Sequence, residues 1–141
     1  MRISTKGRNA IKFMLDLAIY NNGEPVRIKD IASRQEISEK YLEQIVSTLN
    51  KAGLVKSLRG SKGGYLLSER PEDYTVGRIL KTIEGSMSPV EDMGADVSPS
   101  DKVSRRIWNQ LEDAINGVLE GITLADLLEW YYDMNIIDYC I

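Results

Sequence analysis

The 141 residues include no histidine and a single cysteine, Cys140. The first absence removes Ser-His-Asp and Cys-His catalysis and every histidine-containing zinc site. The second removes an internal disulfide and any metal cluster built on several thiolates of one chain. So little cysteine fits a reducing compartment. Long apolar runs are also missing. None approaches the roughly 20 residues that cross a bilayer, and the opening MRISTKGRNA has no apolar signal core. The composition points to a cytoplasmic protein with no membrane contact. Positive charge is in short supply overall, with 18 Lys and Arg against 21 Asp and Glu. A net charge of −3 by itself argues weakly against nucleic acid.

The distribution of charge reverses that reading. Residues 1–85 carry 15 Lys and Arg against 10 Asp and Glu, whereas residues 86–141 carry 3 against 11. One end is basic and the other acidic, as expected where the basic end meets an anionic partner.

Apolar spacing predicts a helix over 5–20, with Ile11, Met14, Leu15, Ala18 and Ile19 on one stripe and Ser4 or Thr5 as cap. A short helix over 28–35, a tight turn at Glu36-Ile37 and a helix over 39–52 follow. Ser38 is the N-cap of the last, Leu42, Ile45, Val46 and Leu49 its inner face, and Gly53 its stop. These are the proportions of a helix-turn-helix. Leu54–Arg59 and Tyr65–Ser68 read as strands joined by a glycine loop, and 75–84 as a fourth helix. Residues 86–100, with Pro89, Gly94 and Pro99, read as a connector. A long helix over 101–120 carries Val103, Ile107, Leu111, Ala114, Ile115 and Val118 in a stripe, and a last helix spans 124–132. The expected division is a winged-helix domain over 1–85, the connector 86–100, a dimerisation helix and C-terminal helix over 101–132, and a tail over 133–141.

The stretch SLRGSKGGYLLS at 57–68 raises a choice. A phosphate-binding P-loop needs G-x-x-x-x-G-K-[ST] between a strand and a helix. Here Lys62 precedes Gly63-Gly64 and a second strand follows, so spacing and context both fail. A hairpin turn with solvated charges is the plain reading. The neighbours favour a sharper one: Arg59 and Lys62 at a hairpin tip beside a candidate recognition helix are placed for phosphate or minor-groove contact. On that helix, Ser38 and Tyr41 suit phosphates, Glu43 suits cytosine N4 and Gln44 suits adenine. Taken alone, those residue types fit an ordinary surface helix equally well; the helix-turn-helix order and the wing tip the balance. Arg2, Lys6, Arg8 and Lys12 oppose the dipole at the first helix, which phosphate contact would offset. The stripe of the long helix exceeds what so small a domain buries, and its mixed charge disfavours a membrane surface. A two-fold dimer on palindromic double-stranded DNA fits it. No catalytic constellation marks an enzyme.

STKGR at 4–8, YLEQIVSTLNKAGLVKSLRGSKGGYLLS at 41–68 and ITLADLL at 122–128 resemble the Rrf2 family of bacterial winged-helix transcription regulators, along essentially the whole chain. The resemblance implies a homodimer crossed through the long helix and DNA reading by the 39–52 helix with the wing. Position by position it nominates Ser38, Lys40, Tyr41, Glu43 and Gln44 on the helix and Ser57, Arg59 and Gly60 on the wing. Lys40 stands where other members vary. Many members hold an iron–sulfur cluster on three cysteines between the fourth and the long helix. Residues 86–103 contain none, so neither cluster nor other metal or cofactor carries over. EGSMSPVE at 84–91 is instead similar to a cluster-free branch that represses sulfur-uptake and cysteine-synthesis genes in complex with cysteine synthase (O-acetylserine thiol-lyase). Partners of that enzyme insert a C-terminal isoleucine, which nominates Ile141 as a partner-binding residue; a frayed terminus is the plain alternative.

The expectation is therefore a mostly α protein with a small β-hairpin, a winged helix-turn-helix plus a long dimerisation helix seated on Val103, Ile107, Leu111, Ile115 and Val118. Its expected work is dimeric, DNA-binding repression of cysteine-metabolism genes, with Arg2 and Lys6 among the DNA contacts. The alternatives are a regulator of another regulon, or a protein-interaction module that keeps the fold without strong DNA binding.

Overall fold

A computed structural model of the chain describes residues 1–91 and 94–140, with the backbone alone for 135–140. Six helices surround one two-stranded hairpin among these residues. Helix α1 (Thr5–Ile19) starts where Ser4 Oγ accepts from the Gly7 N–H at 3.0 Å. Its buried face is Ala10, Phe13, Met14, Leu17 and Ala18, with Ile11 and Leu15 at the edge. The face is wider than the stripe predicted because α1 is the central element, touched by α2, α3, α4, α6 and the hairpin.

Helix α2 (Ile28–Gln35) ends at Glu36, which takes φ +55°, the single non-glycine left-handed residue among those described. That reversal sends the chain through Ile37 to Ser38, whose Oγ accepts from the Tyr41 N–H at 3.2 Å and starts α3 (Glu39–Lys51). Leu42, Ile45, Val46 and Leu49 are buried, as their spacing predicts. Asp16, only 1% exposed, ties α1 to α2: Arg34 donates to both of its carboxylate oxygens at 2.8 and 3.0 Å, and Gln35 donates at 3.0 Å. The carboxylate holds the Arg34 guanidinium above its ordinary pKa, and the guanidinium also stacks 4.0 Å from the Tyr20 ring centroid.

Strands β1 (Val55–Leu58) and β2 (Gly64–Leu67) pair antiparallel, Val55 opposite Leu67 and Leu58 opposite Gly64. A third extended segment joins them, because Val26 and Tyr65 exchange both backbone hydrogen bonds at 2.9 and 2.8 Å. Glycine is required at 64: a Cβ there would stand 2.4 Å from the Val26 carbonyl oxygen.

Tyr74 is the largest fully buried side chain and fastens the hairpin base. Its hydroxyl donates to the Leu54 carbonyl at 2.5 Å and accepts from the Ser68 and Glu69 N–H groups at 2.9 and 3.0 Å. Burial pushes this phenol above its ordinary pKa, which keeps the donor proton in place. Helix α4 (Val76–Glu84) follows, capped by Thr75. The connector is held without regular structure: Met87 is buried with Leu80 and Leu119, and Arg105 donates to Asp96 at 2.6 Å and to the Gly94 carbonyl at 2.8 Å.

Helix α5 (Pro99–Gly121) begins two residues before the predicted start at 101, at a capping box between Ser98 and Asp101. Val103, Ile107, Leu111 and Val118 are 44–66% exposed, and Ile115 is half-buried. Helix α6 (Leu124–Cys140) runs well beyond the predicted end at 132. Residues 124–140 contain neither glycine nor proline to stop it, so what the sequence suggested as a tail is helical through Cys140. Leu124, fully buried, and Leu127 and Leu128 pack into the winged-helix core. A boundary at residue 85 therefore does not separate two cores.

Candidate nucleic-acid interface

Lys40, Glu43, Gln44 and Ser47 recur at helical spacing on α3, and all four are exposed. The side chains of Lys40, Glu43 and Gln44 make no hydrogen bond or ion pair among the described residues. Carboxylate and carboxamide at i and i+1 thus face solvent at the start of a helix whose opposite face is core. Ser38 uses its oxygen to cap α3, and its own proton stays available to a phosphate oxygen. Tyr41 is half-buried, packed by its ring against the core at the rim of this face.

On the wing, Ser57, Arg59 and Gly60 are all exposed. The loop of residues 59–63 turns through Gly60 at φ +108°, a conformation that favours glycine, and leaves the backbone bare. Arg2 is exposed and Lys6 half-buried at the start of α1. The dipole of α1 already has a counter-charge at this end. The Glu84 carboxylate lies at this helix start, accepting from Ser4 N–H at 3.0 Å and Ser4 Oγ at 2.6 Å, and so offsets the unfavourable basic residues without any phosphate.

Sequence reasoning missed Arg27 and Lys29. The Val26–Tyr65 pairing brings the start of α2 against the wing, and Arg27 donates to the Ser61 carbonyl. A cleft of about 550 Å³ opens between them, with Arg27, Lys29, Ser57, Arg59 and Gly60 on its walls. The signal in the sequence is faint: an extended Pro25-Val26 before a helix, with two basic residues following.

The protein-family model described as Rrf2, iron-dependent transcriptional regulator, matches residues 3–130. The chain is 44% identical over 130 residues to the HTH-type transcriptional regulator CymR of Bacillus subtilis, covering 92% of this chain and 91% of that one. It is 41% identical over 130 residues to the HTH-type transcriptional regulator IscR of Photobacterium profundum, covering 91% and 76%. The solved structure of B. subtilis CymR, titled as the global cysteine regulator, superposes with a TM-score of 0.82 over 92% of this chain and 98% of that one, at 43% identity.

The family description names iron, and the donor set here does not fit an iron–sulfur cluster. Residues 86–98 carry no thiol, the one cysteine lies at the end of α6, and the described residues gather no group of three or more His, Cys, Asp or Glu able to hold a metal ion. The place between α4 and α5 is packed by Met87 instead. A helix-turn-helix capped at Ser38, a wing fastened by Tyr74 and a family match over nearly the full length converge on one conclusion: the chain belongs to the Rrf2 family of transcriptional regulators.

Proposed function

We propose that the protein is a homodimeric repressor that acts in the cytoplasm on genes of cysteine and sulfur metabolism, reads double-stranded palindromic DNA with α3 and the wing, and needs no metal or cofactor. The observation that carries it is the unpaired Lys40–Glu43–Gln44 face of α3 beside a basic wing. Glu43 accepts from a cytosine amine and Gln44 pairs with adenine, each such contact worth about 1–3 kcal/mol of discrimination. Ser38, Tyr41 and Lys40 hold flanking phosphates. Ser57, Arg59 and Gly60 meet the adjoining backbone or minor groove. Arg2 and Lys6 add charge from α1. The exposed stripe Val103, Ile107, Leu111, Ile115 and Val118 pairs two copies and so presents two recognition helices.

The cysteine-metabolism assignment draws on the similarity to CymR. The finer reading is that cysteine synthase is the signalling partner and that Ile141 enters its active site. Ile141 lies outside the described residues. Capture of the synthase from lysate by the intact protein but not by one lacking Tyr139–Ile141 is expected; equal capture by both removes the role of Ile141.

Substitutions test the DNA reading. Arg59→Ala should weaken binding to every duplex alike, because a backbone contact carries no base information. Glu43→Ala should relax preference at one base position and leave affinity for unrelated duplexes unchanged. Equal discrimination by Glu43→Ala and the parent would remove the role assigned to Glu43.

A further inference from the structure

We propose that the cleft between α2 and the wing seats a phosphate of the DNA backbone, held by Lys29 and Arg27 from the α2 side and by Arg59 from the wing. The inference rests on the DNA reading above and adds a contact from an element that the helix-and-wing scheme leaves out.

Three cations line the cleft and no carboxylate does. Glu24 and Asp30 line neighbouring recesses that also include Arg27, and neither lines this one. Among the described residues, Arg27, Lys29, Arg59 and Lys62 have no ion-pair partner, whereas Arg34, Arg70, Arg78, Lys81 and Arg105 have at least one. Like charges brought together without a counter-charge repel one another, and an anion removes that cost. The Val26–Tyr65 backbone pair and the bond from Arg27 to Ser61 hold the two walls in place, so the site is largely formed before any ligand arrives.

Shape favours a polymer over a small anion. The cleft is broad, at about 550 Å³, and one wall is glycine backbone at 60, 63 and 64. A Cβ at Gly63 would meet the Leu58 carbonyl oxygen at 2.3 Å, so this wall stays free of side chain. Ser57, Arg59 and Gly60 line the same cleft. A strand that reaches the wing therefore runs past Lys29. Arg27 also acts on the wing itself, because its grip on Ser61 sets the height of the loop that carries Arg59.

The test is a salt titration of affinity for a duplex of about 30 base pairs selected by the parent protein from a random pool, and for a shuffled copy. Lys29 is exposed and its side chain makes no hydrogen bond or ion pair among the described residues, so Lys29→Ala should fold normally, as circular dichroism checks. Each phosphate contact contributes about 0.9 to the slope of log affinity against log salt. With two clefts per dimer, Lys29→Ala should flatten the slope by about 1.8, weaken both duplexes alike and leave base preference intact, and Lys29→Arg should restore the slope. An unchanged slope in Lys29→Ala, with the parent still binding, overturns this site alone. A parent protein that selects no duplex and shows no salt-dependent binding overturns the DNA reading together with it.

Discussion

Replacing Tyr74 by Phe removes one oxygen and strands three backbone groups: the Leu54 carbonyl and the N–H groups of Ser68 and Glu69. The ring stays buried, so the hydrophobic term is almost unchanged. The expected loss is about 1–3 kcal/mol, the cost of leaving buried polar groups unpaired, read by urea denaturation. Because the three groups flank the hairpin, wing amides should lose hydrogen-exchange protection beyond the global change. Uniform loss across the chain would mean that the hydroxyl does not fasten the wing. Tyr74 illustrates what the sequence does not disclose. A lone aromatic before a helix has no periodic signal, and its partners lie 5 to 20 positions away. Asp16 is similar: it sits on an otherwise apolar helix face, and its meaning depends on Arg34 and Gln35, 18 and 19 residues on. The cap at Ser38 and the exposed positions of Glu43, Gln44 and Arg59 were legible because a local order of turn, helix and hairpin places them, while their contacts with DNA remain the proposal.

At the scale of elements, legibility followed local rules. Helices α1 to α4 end within a residue or so of the predicted bounds because caps and stops are encoded nearby, Ser4, Ser38 and Thr75 at the starts and Glu36 and Gly53 at the ends. Helix α6 was mis-bounded because its length rests on the mere lack of a breaker, a weaker signal than a cap. The start of α5 supplies a pH prediction. Asp101 accepts from the Val97 and Ser98 N–H groups at 3.1 Å each, and these bonds hold its carboxyl below the ordinary range. A depressed pKa gives stabilisation that is present above the ordinary aspartate range and is lost as pH falls through the depressed value. The first turn of α5 and the connector should therefore fray on acidification, with amide exchange at 97–102 rising before α3 responds. Asp101→Asn should make that exchange insensitive to pH over the same window. Simultaneous loss of α3 and α5 would contradict the assignment.

For the whole molecule, the charge split and the exposed stripe belong together. In the proposed reading the face of α2, α3 and the wing is the working surface, and α5 carries apolar side chains that a single copy leaves in water. Leu111→Glu should therefore convert a dimer to a monomer at micromolar concentration, by sedimentation, while the winged-helix core stays folded, since Leu111 is not part of it. The monomer should lose DNA affinity steeply, because two half-sites no longer act together. A chain that is monomeric before substitution would remove the pairing role of α5.

The most direct measurement of the central claim is selection of duplexes from a random pool by the intact protein, followed by sequencing. Two recognition helices related by a two-fold axis should enrich an inverted repeat with half-site centres about one helical turn, 10–10.5 base pairs, or a multiple of it apart. Glu43→Ala should blur one position in each half. Recovery of a pool without any enriched sequence, at salt low enough to permit binding, would contradict it.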